Sequence, residues 1–182
     1  VSFALPNFLT EEGGNLLIEL RLTSLRDFLP DHLVTQIPLL ANAVWGRWKL
    51  LHLRSSVSRD SGLRDAILAY ARVAGGKPIM PHSRVYHDLQ EALGRYDLES
   101  ATAVIDALHE FLADETTDAT AALNRAVTEY DRQLSLQLDE ILHHPEFQQR
   151  EATWRGLHYL TANAAHSQSL KIKVFNATNN TG

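Results

Sequence analysis

The extended segments of this 182-residue chain stand only at its two ends, and that placement constrains the fold more than any other feature. Val1, Phe3 and Leu5 alternate with other residues before Pro6, and Leu16, Ile18, Leu20 and Leu22 alternate against Leu17, Glu19, Arg21 and Thr23. Near the other end, Leu170, Ile172 and Val174 alternate with Lys171, Lys173 and Phe175. A period of two is the pattern of a strand with one covered face. Thr10 to Asn15, with Gly13 and Gly14 free to take positive φ, supplies turn chemistry and predicts an N-terminal β-hairpin. A hairpin and one distant strand make too small a sheet to stand alone, and a lone strand offers unpaired backbone groups to another chain. The expectation is that strands 16–23 and 170–175 complete, or are completed by, sheets of neighbouring subunits.

Everything between reads as helix or linker, so the fold class is α+β and mostly helical. Ser24-Leu25-Arg26-Asp27 has the form of a capped turn, Pro30-Asp31 opens a short helix, and Pro38 suits the first position of a helix running to about Ser55. On that helix Leu40, Val44, Trp48 and Leu51 are predicted to form the inner stripe, with Arg47, Lys49 and Arg54 on a solvated flank. A helix over 62–74 ends at Gly75-Gly76, and the Gly- and Pro-rich stretch that follows is the clearest linker. The division expected is 1–74, hairpin plus helices; 75–82, linker; and 83–182, a helical segment ending in the strand. In the last part a helix is expected over 83–95, then a stripe of Leu98, Ala101, Ile105, Leu108 and Leu112. Leu123, Val127, Tyr130, Leu134, Leu138 and Ile141 mark a long amphipathic helix that needs a partner for its apolar face, giving a helix pair. Pro145 ends it and opens another, whose inner stripe is read as Phe147, Arg150, Trp154 and Leu157.

Several function classes are excluded or weakened at this stage. With no cysteine there is neither a disulfide nor a thiolate metal site. Seventeen basic against 22 acidic residues leave a net charge of −5, so nucleic acid is not an expected partner. No apolar run reaches the roughly 18 residues of a membrane helix, so no membrane partner is expected. Glu140 and His144 stand four apart, but no His-Glu-x-x-His order exists and Pro145 separates the candidates onto two helices. There is no Gly-x-Ser-x-Gly elbow or phosphate loop, and paired acids such as Asp114-Glu115 lie in turns. No catalytic, cofactor or metal site is expected, and the chain is read as a non-enzyme. It begins at Val1 without a methionine, which suggests a processed terminus or a piece of something longer.

The local combination that needs a special reason is Trp154-Arg155-Gly156-Leu157. A helical glycine costs about 1 kcal/mol relative to alanine and usually marks a close approach of another backbone. Beside Trp and Arg it reads as a packing node, within the chain or between chains. Replacing Trp154 by alanine is expected to cost roughly 3–5 kcal/mol if the ring is fully buried. The expected interface residues are therefore Leu16, Ile18, Leu20, Leu22, Phe147, Trp154, Arg155, Gly156, Leu157, Leu170, Ile172 and Val174.

Two stretches carry a resemblance. Asp131-Arg132-Gln133-Leu134-Ser135-Leu136-Gln137, His143-His144-Pro145-Glu146-Phe147-Gln148, Trp154-Arg155-Gly156-Leu157 and Lys171-Ile172-Lys173-Val174-Phe175-Asn176 resemble the N-terminal region of the large subunit of the type VI secretion contractile sheath, over about 131 to 178. Arg150 stands where that family usually has leucine. Leu5-Pro6-Asn7, Leu9 to Gly14, Ser24 to Asp31, Gln36-Ile37-Pro38-Leu39-Leu40 and Arg47 resemble the C-terminal half of the small sheath subunit, over about 1 to 68. A natural fusion, a degenerate paralogue and an engineered joining all fit this order. The resemblance implies a structural sheath component that assembles into a helical polymer by strand addition and helix packing. The implied partners are the small and large sheath subunits, and further the inner tube protein, the baseplate and the AAA+ unfoldase that recycles sheath. The second reading is a helical adaptor or regulator that binds sheath subunits without polymerising, which the charged Arg150 favours.

Overall fold

The computed structural model describes residues 1–10, 13–74, 83–96, 105, 108, 118–164, 172 and 173. Strand β1 (Ser2–Pro6) pairs antiparallel with β2 (Asn15–Glu19), with Phe3 opposite Ile18 and Leu5 opposite Leu16. The connecting turn uses its glycines as expected: Gly13 and Gly14 have φ of 60° and 84°, where side chains are disfavoured. The Asn7 N–H donates to the Gly14 carbonyl at 2.9 Å, closing the loop. β2 is shorter than the alternation 16–23 predicts, because Arg21 N–H donates to the Gln36 side chain and the chain leaves the ladder.

A 3-10 turn (Leu25–Phe28) follows, then α1 (Pro30–Gln36), α2 (Pro38–Val57), α3 (Ser61–Ala74), α4 (Arg84–Gly94), α5 (Ala119–His143) and α6 (Pro145–Ala164). Prolines open α1, α2 and α6, where the missing N–H costs no helical bond. Side chains cap others: Ser83 accepts from Tyr86 N–H, and Asp118 accepts from Thr120 N–H. His144, held extended by the following proline, separates α5 from α6.

The buried side chains form two cores. One gathers Leu50, Leu53 and Val57 of α2, Leu63, Ile67 and Tyr70 of α3, Leu89 and Leu93 of α4, the helical residues Ile105 and Leu108, and Leu123 and Ala126 of α5. The other lies under the hairpin and takes Phe3, Leu5, Ile18 and Leu20 from it. Phe28, Leu33, Ile37, Leu40 and Ala43 follow in the chain, then Leu134, Ile141 and Phe147 from α5 and α6. Tyr130 packs against both cores. α5 runs along both, and this supplies the partner its apolar stripe requires.

Two sequence expectations change here, and a third falls mainly outside the described residues. The inner stripe of α2 is Leu40, Ala43, Leu50, Leu53 and Val57, while Val44 and Trp48 are exposed. Each step of four residues overshoots a full helical turn by about 40°, so a stripe read as 40, 44, 48 walks off the covered face. On α6, Arg150 is exposed and Glu151 takes the half-buried position, so the guanidinium never enters the packed stripe. The C-terminal strand falls mainly on residues outside the described ones; Ile172 and Lys173 are described, are exposed and are not in a strand. The predicted linker 75–82 also lies outside the described residues, as do Leu98, Ala101 and Leu112.

Candidate functional site

The contacts that tie the two ends of the sequence together concentrate at the seam between the hairpin with α2 and the helices α5 and α6. Gln137 sits in the α5 stripe yet is fully buried. Its side-chain oxygen accepts from Phe8 N–H at 2.8 Å, and its amide donates to the Pro6 carbonyl at 3.1 Å, so one amide clamps the loop leaving β1. Phe3 stacks on the His144 ring with centroids 3.9 Å apart and planes 8° apart, and Phe28 meets Phe147 edge-on at 5.4 Å. Farther along, the Arg47 guanidinium holds the Asp131 carboxylate through two N–H groups, and Arg54 donates to Asn124 at 3.1 Å. Arg47 was expected on a solvated flank; the seam takes it instead.

Electrostatics elsewhere is structural. Hydrogen bonds from the Thr23 and Ser24 backbone hold the Asp27 carboxyl below its ordinary value and lock the 3-10 turn. The Tyr96 hydroxyl, 2.6 Å away, and then Leu63 N–H do the same for Asp60, which joins the end of α4 to the start of α3; that bond also raises Tyr96. Among the described residues no three His, Asp or Glu side chains are grouped to hold a metal ion, and no helix is long and apolar enough to cross a membrane.

The residues expected at interfaces fall into different environments. Ile18 and Leu20 are buried in this chain's own core, with Leu16 and Leu22 packed against it. What β2 presents outward is Leu17, 62% exposed, and a backbone edge with no further strand among the described residues. A groove beside that edge is lined by Leu16, Leu17, Ile18, Glu19, Gln36, Ile37, Pro38 and Leu39. Phe147 is fully buried, whereas Trp154 and Leu157 are half-buried. Arg155 is exposed and pairs with Glu151 one turn back at 2.7 Å. Gly156 has no described atom within 4 Å of where a Cβ would stand, so no close approach among the described residues explains it. Beyond it, Tyr159 and Leu160 are 68% and 57% exposed. Leu170 and Val174 lie outside the described residues.

Sequence reasoning missed Gln137 and the Phe3–His144 stack, and its only mark on the first was a polar residue inside an apolar stripe. It also missed that Trp45 and Trp48 stack on each other at 4.8 Å, with His52 stacked on Trp48, along the outside of α2. Parallel rings one turn apart cover part of one another without a partner helix.

Comparison with known proteins assigns the two sides of the seam. Residues 1–71 match the family model described as type VI secretion system, VipA, VC_A0107 or Hcp2. Residues 124–181 match the family model described as EvpB/VC_A0108, tail sheath N-terminal domain. The chain is also 35% identical over 82 residues to the type VI secretion system sheath protein TssC1 of Pseudomonas aeruginosa. That similarity covers 43% of this chain and 16% of the relative, so the chain spans only a small part of the curated protein it matches. No solved structure matches. The chain is thus similar over residues 1–71 to one type VI sheath family and over residues 124–181 to another, a small-subunit-like segment followed by a large-subunit N-terminal-like one.

Proposed function

We propose that this chain, which joins the two kinds of sheath segment, is a non-catalytic structural component of the type VI secretion contractile sheath in the cytoplasm. It works by adding strands to, and packing helices against, neighbouring small and large sheath subunits. The observation that carries the reading is the seam. α2, β1 and β2 come from the segment matched to one sheath family, α5 and α6 from the segment matched to the other, and together they bury one continuous set of side chains. Families whose sequences pack this closely in one chain are expected to meet in the assembled structure as well.

Among the described residues, two surfaces suit this reading. The outer edge of β2 offers unpaired backbone groups beside an apolar groove, the geometry that accepts an added strand. The outer half of α6 offers Leu157, Tyr159 and Leu160 beside a glycine with no other described residue over it. A helix backbone or strand from another subunit fits there, and interfaces favour aromatic residues. Segment 170–175, whose sequence alternates, is the one we assign to donation into a neighbouring sheet.

Cosedimentation with cognate small and large sheath subunits, followed by negative-stain microscopy, tests the reading. Ordered tubes containing the chain are the expected result. Small soluble complexes would replace it with the adaptor reading, and no association at all would refute both.

A further inference from the structure

The crossing of α2 and α5 carries a second layer of information. A Cβ placed at Gly46 would stand 2.9 Å from the Tyr130 hydroxyl oxygen and 3.1 Å from Tyr130 Cζ, so no side chain fits there while that ring keeps its place. Glycine is a poor residue for the middle of a helix, and its use at this point has a packing reason. One residue on from each partner, Arg47 grips Asp131 with two N–H groups. Two turns further along α2, Arg54 meets Asn124, which lies nearly two turns back along α5. From Arg47–Asp131 to Arg54–Asn124 the contacts run in opposite directions along the two helices, with Gly46–Tyr130 beside the first, so all three are satisfied together in one antiparallel crossing. All three cross from residues matched to one sheath family to residues matched to the other.

We propose that this crossing is the pairing key by which a small-subunit-like segment selects its large-subunit-like partner. Gly46 is the hole, Tyr130 the knob, and Arg47 with Asp131 the charge that fixes polarity. Selection of this kind needs a penalty for the wrong partner as well as contacts to the right one. A bulkier residue at position 46 meets the Tyr130 ring, and an acid at position 47 meets Asp131. The identity of the two segments rests on the sheath reading above; the key itself does not depend on polymerisation.

The test uses the whole purified chain and reads thermal midpoints. Gly46→Leu and Tyr130→Ala should each lower the midpoint, the first by about 4–10 °C through overpacking. The double variant, in which leucine fills the space left by the ring, should melt above both singles. Losses that merely add would overturn the key. If Gly46→Leu gives no folded protein, the half-exposed charge pair decides. Arg47→Asp and Asp131→Arg should each lower the midpoint by about 2–4 °C at low salt, and the double reversal should restore it. No restoration on reversal would refute the key. Because these variants are measured without other subunits, failure here leaves the cosedimentation result to judge the sheath reading separately.

Discussion

Gln137 shows how much a single amide can fix. Gln137→Leu keeps the volume and the apolar stripe of α5 but leaves Phe8 N–H and the Pro6 carbonyl without their partner. The expected loss is about 1–3 kcal/mol in chemical denaturation; a smaller loss would mean that water or a rearranged loop replaces the clamp. Phe147→Ala removes a fully buried ring and should cost about 3–5 kcal/mol. The half-buried Trp154 should cost less, about 2 kcal/mol, which revises the value that full burial predicts. Acid sensitivity has named sources. Asp27 and Asp60 both titrate below their ordinary 3.8 when folded, so their contribution is complete above that value and is lost as the pH falls through the lowered ones. Asp27→Asn and Asp60→Asn should each flatten the acid limb of a stability–pH curve. Tyr96 has the opposite sign: its contribution is present below its ordinary 10.0 and lost as the pH rises through the raised value.

At the scale of elements, β2 and α6 separate folding from association. Leu17→Lys blunts the strand edge without touching the core, since that side chain already faces out. It should leave the melting temperature within about 2 °C of the parent and reduce incorporation into sheath. Tyr159→Ser with Leu160→Asp makes the same prediction for α6, and a fall in melting temperature would show that the helix end is packed within this chain. The hairpin, the capped turn, the proline-started helices and the long α5 were legible in the sequence, because alternation, caps and prolines act over a few residues. The covered face of α2 was not. Its two tryptophans look like core by hydrophobicity, yet they stack on each other outside while Gly46, the smallest residue of the helix, meets the partner. Arg150 misled for a related reason, since positions 150 and 151 differ by only about 100° around the helix and the choice between them is made by what α6 packs on. The buried role of Gln137 depends on a loop far away in sequence, which no local pattern encodes.

For the whole molecule, the central point is that sequences matched to two sheath families share their buried side chains through α2, α5 and Tyr130. The N-terminal hairpin packs onto the α5–α6 junction. Hydrogen exchange followed by mass spectrometry at increasing denaturant tests this claim most directly. The predicted result is that amides of β1, α2 and α5 lose protection together, at one denaturant concentration, as a single cooperative unit. Loss of protection in α2 and the hairpin at a concentration where α5 and α6 stay protected would contradict it.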